Sequence, residues 1–443
     1  MAPTLFGIAT LGQGGYWLSG IALTLLAGGV VLLKLRRGWA WALIALVLVG
    51  VLQNVLVTAT GLPLMRWVDD IVLVTLATLA VIESLRDRTL RGYLWIPGLV
   101  LLVDALQLVR SPTFEDGLLQ LRQFAAPLLL ISIAIFMRSK IDVRAFIRGA
   151  VWISIAVSIY MFVEAVIRGP LISPVYSYLL EAGGNSVGDL RGGLPSAYYS
   201  DITSGLVWFR PGGPFFNPPI AGIFIGTGVY AAVQLRSSWL KWFAIVLGFV
   251  VVAVSLGRAG LLLVVIVTIG FYAWQRFGKS VSIIAGGVLA IVAGAFFWTQ
   301  GNTASHAIGL ADGLMIGITH PFGDGFGHHG YFTASGASES LLGLLFAIYG
   351  VVAVLFILVV LACICGYLLR IRPPDSLPGL YLLGVLLVCA FSESAAALQG
   401  SIMLWLFVGF AMQVVGRDLV QIDWIHHALN PRAWNHPRPP DRS

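Results

Sequence analysis

Residues 242–274 read WFAIVLGFVVVAVSLGRAGLLLVVIVTIGFYAW, and Arg258 is the only charged residue between Lys241 and Arg276. As one helix this stretch would rise about 50 Å, which exceeds the roughly 30 Å of a bilayer core. It therefore predicts two short spans that fold back on each other, with the turn at 257–260. Lys241 and Arg276 would then share one membrane face, and Arg258 would lie at the other. A guanidinium there costs on the order of 3 kcal/mol unless it meets an anion or a wet cavity.

Composition extends this membrane reading to the whole chain. Of 443 residues, 58% are hydrophobic and only 11% charged, with a mean hydropathy of +0.91. A soluble surface of this size would need far more charge. We expect an all-α, polytopic transmembrane helical bundle in which 1–416 form a single membrane domain. Residues 417–443, rich in Pro and Arg near their end, are expected to be a cytoplasmic, partly disordered tail. No signal-peptide pattern precedes the first apolar run.

Apolar windows predict about 12–13 spans. They lie near 17–34, 39–60, 69–85, 92–110, 118–137, 145–167, 219–235, 241–256, 260–275, 281–299, 339–369, 377–397 and 400–416.

Threading the chain through these spans divides its basic residues between two faces. All the lysines lie on one face with most of the arginines, which the positive-inside rule makes cytoplasmic. The other face holds only arginines: Arg66, Arg110, Arg122, Arg168, Arg191, Arg210 and Arg258. Arginine offers a planar fork for phosphate or carboxylate oxygens, so this set is explained equally well by anion recognition and by chance in an arginine-rich chain. The net charge of +7 is a topology signal, and no motif indicates a nucleic-acid partner.

Two long loops, 168–218 and 300–338, are predicted on the outer face. The first ends in Trp-Phe-Arg-Pro-Gly-Gly-Pro-Phe-Phe-Asn-Pro-Pro (208–219). Its prolines and Asn217 predict a helix start whose free N–H groups face an anion, with Arg210 beside them. The second leads to Glu339 in the first turn of the next span. There Glu339 is either a favourable charge at a helix N-terminus or a general base.

Other polar groups carry weaker signals. Four histidines and two aspartates of the second loop match no zinc template, so no metal is expected, and hydrogen bonding to substrate or loop structure is favoured. They are His306, His320, His328, His329, Asp312 and Asp324. Asp69 and Asp70 are read as a solvated helix end in preference to a reactive carboxylate pair. Acids in or near spans are expected to pair with Arg122 or Arg258 or to couple to protons: Asp104, Glu164 and Glu393.

Four motifs in order carry a family resemblance. They are Arg210-Pro-Gly-Gly-Pro-Phe-Phe-Asn-Pro, Ser255-Leu-Gly-Arg-Ala-Gly, Gly323-Asp-Gly-Phe-Gly, and Ser338-Glu-Ser followed by Tyr349-Gly350. This series, over roughly residues 200–400, resembles the superfamily of O-antigen ligases and Wzy-type polysaccharide polymerases. The N-terminal half resembles it only in hydropathy.

The resemblance implies a GT-C-type, inverting, metal-independent glycosyltransferase without a cofactor. It implies action on undecaprenyl-diphosphate-linked glycans at the outer face of a bacterial inner membrane, with Arg210 and Arg258 holding the diphosphate. Ligases of the superfamily usually carry His-Asn eleven residues before the helix glycine, where this chain has Glu339-Ser340. That departure favours a polymerase with Glu339 as its base.

The leading hypothesis is therefore a polymerase of lipid-linked repeat units. Its alternatives are a ligase that transfers glycan to lipid A core and a flippase or transporter of lipid-linked oligosaccharide. Expected partners are lipid-linked glycan donor and acceptor, membrane lipids, and chain-length regulator and flippase proteins. Candidate substrate contacts besides the two arginines are Asn217, His328, His329, Arg191 and Tyr331.

Overall fold

The computed structural model describes most of the chain. The described residues are 12–60, 63–91, 94–172, 190–191, 194–195, 198–203, 206–278, 303–328, 340–369 and 377–421.

Fourteen helices are labelled in chain order within these ranges. They are α1 (Gly12–Arg37), α2 (Trp39–Thr60), α3 (Val68–Arg86), α4 (Arg88–Arg91), α5 (Trp95–Val109), α6 (Phe114–Phe136), α7 (Val143–Ile167), α8 (Pro218–Val233), α9 (Trp239–Val254), α10 (Arg258–Phe277), α11 (Thr303–Thr319), α12 (Leu341–Leu368), α13 (Leu377–Phe391) and α14 (Leu398–Gln421). Short 3-10 turns occur at Pro63–Trp67, Arg138–Lys140, Gly213–Phe215 and Glu393–Ala396.

The described strands form two small antiparallel hairpins between α7 and α8. β1 (Leu190–Arg191) pairs with β2 (Leu194–Pro195). β3 (Tyr199–Thr203) pairs with β4 (Leu206–Phe209), with Tyr199 opposite Phe209. The second hairpin leads directly into Arg210, so it fixes the direction from which this residue approaches the helices.

The helices confirm the predicted all-α membrane bundle in outline. Five of them, α2, α6, α7, α10 and α12, are long and apolar enough to cross a membrane. Six further apolar helices of 10–17 residues are shorter than a full span. Large apolar side chains such as Leu355, Phe356 and Val359 are exposed on α12, as expected where lipid replaces water. The predicted span at 281–299 lies outside the described residues.

The centre of the bundle is α8. Every residue of this helix except Pro219 is buried, and it packs against α7, α9, α10 and α14. A helix that is apolar all round belongs in the middle of a bundle. Because α8 follows directly from the 210–217 segment, that segment is held against the rigid core.

The chain turns between α9 and α10, as residues 242–274 predicted. Residues 255–257 make the turn, and Leu256 has a left-handed φ of 50°, an uncommon conformation for a branched side chain. Arg258 is the first residue of α10. The second span is not uniform, because Ile266–Gly270 form a π-helical turn inside it.

The segment 300–338, predicted as a loop, contains the helix α11. This helix packs against α12 with close backbone contact: a Cβ on Gly313 would overlap Gly343, and a Cβ on Gly317 would lie 2.8 Å from the Phe346 carbonyl oxygen. The glycines at 309, 313 and 317 follow the small-residue spacing typical of tightly packed membrane helices. α12 is interrupted at Gly350, whose φ of 79° and ψ of 167° are not helical.

Candidate functional site: an arginine pair at the turn between α9 and α10

Arg210 is bound to the last turn of α9. Its Nε donates to the Ser255 carbonyl oxygen at 2.9 Å and its Nη2 to the Leu256 carbonyl oxygen at 3.4 Å. The neighbouring Trp208 donates from Nε1 to the Val254 carbonyl oxygen at 2.8 Å. A helix ends with carbonyl groups that lack intrahelical donors, and these two side chains satisfy them. Arg210 therefore has a structural role whatever else it binds.

The same contacts bring Arg210 next to Arg258. Burial, followed by the positive charge of Arg258, lowers the pKa of Arg210 to about 10. That value remains well above neutral pH, so Arg210 keeps its positive charge beside Arg258. Only two of the five guanidinium N–H donors of Arg210 are used on carbonyl groups of the turn. Within the described part of the chain, no carboxylate lies at salt-bridge distance from Arg210. We call Arg210, Arg258 and the turn 255–257 the arginine site.

Glycines fix the position of Arg258 relative to α8. A Cβ on Gly260 would overlap the carbonyl group of Gly222 and would lie 2.8 Å from its Cα. A Cβ on Gly226 would lie 2.9 Å from the Gly260 carbonyl oxygen. Backbones approach this closely only where side chains are absent. The start of α10 is thus set directly on the N-terminal half of α8.

The segment between Arg210 and α8 is buried from Pro211 to Phe216 and is held by two polar side chains. Glu164, fully buried at the end of α7, accepts from the Gly213 N–H at 2.8 Å and from the Leu171 N–H at 3.2 Å. Asn54 donates to the Phe215 carbonyl oxygen at 2.7 Å. Polar groups buried at this depth need partners, and here the partners are backbone atoms of the segment and of Leu171.

Asn217 begins α8 as predicted, but the anion-binding amides expected there are absent. Its side chain accepts from the Ile220 N–H at 3.1 Å, and its carbonyl oxygen accepts from the Ala221 N–H at 3.0 Å. The two residues between them are prolines and have no N–H. The first turn of α8 therefore has no free amide for a ligand, and this part of the prediction is wrong.

The N-terminus of α10 is better suited to an anion. Gly257 occupies its N-cap position and has no side chain to accept from the first N–H groups. The positive end of a helix dipole favours negative charge, and the first residue of this helix is itself Arg258. The arginine site thus combines two guanidinium groups with an uncapped helix start.

Two of the three acids predicted to pair with arginines, Asp104 and Glu164, have other partners, and the side chain of the third, Glu393, lies outside the description. Arg122 binds Asp70 through Nε–Oδ1 at 2.8 Å and Nη2–Oδ2 at 2.7 Å. Buried Asp104 accepts from the Tyr349 hydroxyl at 2.6 Å. Glu164 accepts from backbone amides. The predicted pairing with Arg122 or Arg258 is therefore not found for Asp104 or for Glu164.

The Gly-Asp-Gly-Phe-Gly turn supports the interrupted helix α12. The N–H groups of Asp324 and Gly325 donate to the carbonyl oxygens of Ala347 and Ile348 at 2.8 and 3.3 Å. The break at Gly350 removes the normal partners of such carbonyl groups, and the turn replaces them. This is a structural use of the turn, which does not call for a ligand.

The histidine positions nearby are described only in part. His320 Nδ1 lies 3.3 Å from an Asp324 carboxylate oxygen, and exposed His328 lies 3.1 Å from the Arg110 carbonyl oxygen. Within the described residues, no group of three or more His, Cys, Asp or Glu is placed to hold a metal ion.

Several predicted site residues lie outside the described ranges of the chain. Glu339, His329 and Tyr331 fall outside the described residues, and only the backbone of Arg191 is described, in β1. Ser340, directly after Glu339, caps α12 by accepting from the Gly343 N–H at 3.1 Å. The site as described therefore contains the two predicted arginines, and the predicted base remains a prediction.

Comparisons with protein-family models, with curated proteins and with solved structures return no match for this chain. The chemistry of the arginine site therefore follows from its own residues. Two neighbouring guanidinium groups at a helix start without a side-chain cap suit an anion with several oxygens, such as a phosphate or a carboxylate.

Proposed function

We propose that this protein is a membrane glycosyltransferase that polymerises undecaprenyl-diphosphate-linked oligosaccharide repeat units. The observation that carries the proposal is the juxtaposition of Arg210 and Arg258 at the turn between two apolar helices. The motif series of the O-antigen ligase and polymerase superfamily supports the same assignment. We place the protein in the bacterial inner membrane with its site on the outer face.

Chemistry on that face requires a donor that is already activated. Nucleotide sugars and ATP are not available outside the cytoplasmic membrane, so the sugar must arrive on a lipid diphosphate. When the anomeric bond breaks, negative charge grows on the departing diphosphate. Arg210 and Arg258 stabilise this growing charge more than the charge of the intact donor, which lowers the barrier. The arginines act as a preorganised electrostatic clamp, and the reaction as proposed requires no metal.

The acceptor hydroxyl must attack the ring face opposite the leaving group, which inverts the anomeric centre. A general base has to remove its proton. Glu339 precedes the N-cap of α12 and is our candidate. We expect Glu339→Gln to abolish transfer while donor binding is retained, because the amide keeps the shape but cannot accept the proton.

Glycan elongation and binding of a lipid-linked donor, both assayed with purified protein, test this role. Ser338→Ala is the matched control, since it alters the adjacent residue without removing a carboxylate. Unchanged elongation in Glu339→Gln would remove Glu339 from the mechanism and leave a histidine of the 306–329 segment, Asp69 or Asp70 as the base.

The polymerase and its alternatives differ in product. Purified protein in lipid nanodiscs should convert a lipid-linked repeat unit into longer lipid-linked chains and release lipid diphosphate. A ligase would release lipid diphosphate only when lipid A core is supplied, and its product would be attached to that core. A flippase would move substrate across vesicles without changing glycan length. Absence of lipid diphosphate release with either acceptor would overturn the proposed transferase.

A further inference from the structure

A second buried polar cluster lies where α2, the turn Pro63–Trp67, α3 and α6 meet. Asp69 is completely buried, so the prediction of a solvated helix end is wrong for this residue. Its neighbour Asp70 accepts a hydrogen bond from Arg122 Nε at 2.8 Å and forms an ion pair with Arg122 Nη2 at 2.7 Å. The Arg122 guanidinium also lies over the Trp67 ring, 4.4 Å from its centroid. One cation is thus matched to one carboxylate, and Asp69 is left over.

The hydrogen bonds around Asp69 contain more acceptors than donors. Its Oδ1 accepts from Gln53 Nε2 at 2.6 Å and from the Asp70 N–H at 3.0 Å. Its Oδ2 is buried and has no hydrogen-bond partner among the residues that the structure describes. A buried carboxylate oxygen without a donor is strongly unfavourable.

Gln53 adds a second unsatisfied acceptor to the cluster. It is completely buried, and its Nε2 donates both to Asp69 and to the Arg66 carbonyl oxygen. Because both partners are acceptors, the amide orientation is fixed, and its Oε1 is the atom that remains without a partner within the described residues. Gln53 Oε1 and Asp69 Oδ2 therefore lack a hydrogen-bond donor in the described part of the chain, and Asp70 Oδ2 has only its ion-pair contact with Arg122 there.

The surrounding elements do not offer another positive charge to Asp69. Helix α2 has no charged residue, and α1 has none before Lys34, which binds Glu83 towards the other end of α3. Helix α14 has no charged residue before Arg417. The remaining charged groups on the turn and on α6 are exposed or already used: Arg66, Glu115, Asp116 and Arg122.

We propose that Asp69 and Asp70 form a proton-binding site that holds one proton at neutral pH. The proton resides on Asp69 and supplies the donor that the cluster lacks, while Asp70 stays ionised against Arg122. The site is distinct from the arginine site and does not depend on the proposed transferase activity. The proton-binding site nevertheless lies close to the arginine site, because Asn54, next to Gln53 on α2, donates to Phe215 in the segment that links Arg210 to α8.

The two aspartates should respond differently to the same substitution. Asp69→Asn replaces a protonated carboxyl by an amide that can donate and accept in the same way, so the unfolding temperature at pH 7 should stay at the wild-type value. Asp70→Asn leaves the Arg122 cation without its carboxylate and should lower the unfolding temperature by several degrees. Asp312→Asn, on an exposed position of α11, is the control for loss of a negative charge. Thermal unfolding of the full chain in detergent measures all three.

The pH dependence of the unfolding temperature gives a second test of the proton on Asp69. In the unfolded chain Asp69 ionises above about pH 4, whereas in the folded protein it keeps its proton. Folding then takes up a proton, so rising pH should lower the wild-type unfolding temperature relative to that of Asp69→Asn. In the infrared spectrum at pH 7, the carbonyl band of a protonated carboxyl should be lost in Asp69→Asn and retained in Asp312→Asn.

Two results would overturn the proposal. Equal destabilisation by Asp69→Asn and Asp70→Asn, with no change in the carboxyl infrared band, would mean that both residues are ionised. Stabilisation by sodium chloride but not by choline chloride, lost in Asp69→Asn, would mean that the cluster binds a metal cation instead of a proton.

Discussion

Arg258→Lys is expected to lower the rate of lipid diphosphate release by about 100-fold or more, the scale seen when one preorganised donor to a developing anion is removed. Arg258 begins α10 beside Arg210, where a planar fork can bind two oxygens of a diphosphate. A lysine at this position keeps the charge but offers a single point of contact. Release of lipid diphosphate from a lipid-linked donor, followed with purified protein, is the measurement.

A control variant distinguishes loss of diphosphate binding from loss of folding. Arg144→Lys changes an exposed arginine near the start of α7 and should leave both release and the unfolding temperature unchanged. Arg258→Lys should still fold, because the close contact of α10 with α8 is made by glycines. Wild-type turnover in Arg258→Lys would show that position 258 does not hold the leaving group, and the transferase proposal would lose its main support.

The sequence predicted local structure correctly where a residue type can adopt few arrangements in a membrane. A single arginine in an apolar stretch longer than a bilayer predicted a turn at 257–260, and the structure confirms a turn there but places it at 255–257, with Gly260 already inside α10. Asn217 before two prolines predicted the start of α8, which begins at Pro218. In each case a local physical constraint leaves few alternatives.

The hydrogen-bond partners of Glu164 and Arg210 were not predictable, because these partners are backbone atoms. Glu164 was expected to meet an arginine but accepts from the Gly213 and Leu171 N–H groups. Arg210 donates to carbonyl groups of the turn at 255–256. Every residue type has these backbone groups, so the sequence does not mark which of them will accept or donate.

The helix α11 had a signal that the hydropathy windows missed. Three glycines at intervals of four residues, together with Gly343 on α12, indicate a tight helix pair. The same spacing in Gly222 and Gly226 predicts the contact of α8 with α10. Glycine spacing therefore marks which helices pack closely, which hydropathy does not.

Gly260→Ala is expected to destabilise the protein by about 1–3 kcal/mol, the usual cost of overpacking. A methyl group on Gly260 would overlap the backbone of Gly222, and backbone atoms cannot rotate away as a side chain can. The two helices would have to separate, which also moves Arg258, two residues earlier, away from Arg210. Folded Gly260→Ala protein should therefore lose lipid diphosphate release as well as thermal stability.

A glycine without neighbours gives the matched control for this change. A Cβ on Gly366 in α12 would meet nothing within 4 Å, so Gly366→Ala should be neutral or stabilising by up to about 1 kcal/mol from helix propensity. Unfolding temperatures and release rates of both variants, measured in the same detergent, test the pair. If Gly260→Ala behaved like Gly366→Ala, the contact between α8 and α10 would not be what holds Arg258 in place. If Gly260→Ala were destabilised but released lipid diphosphate at the wild-type rate, the position of Arg258 would not matter to turnover.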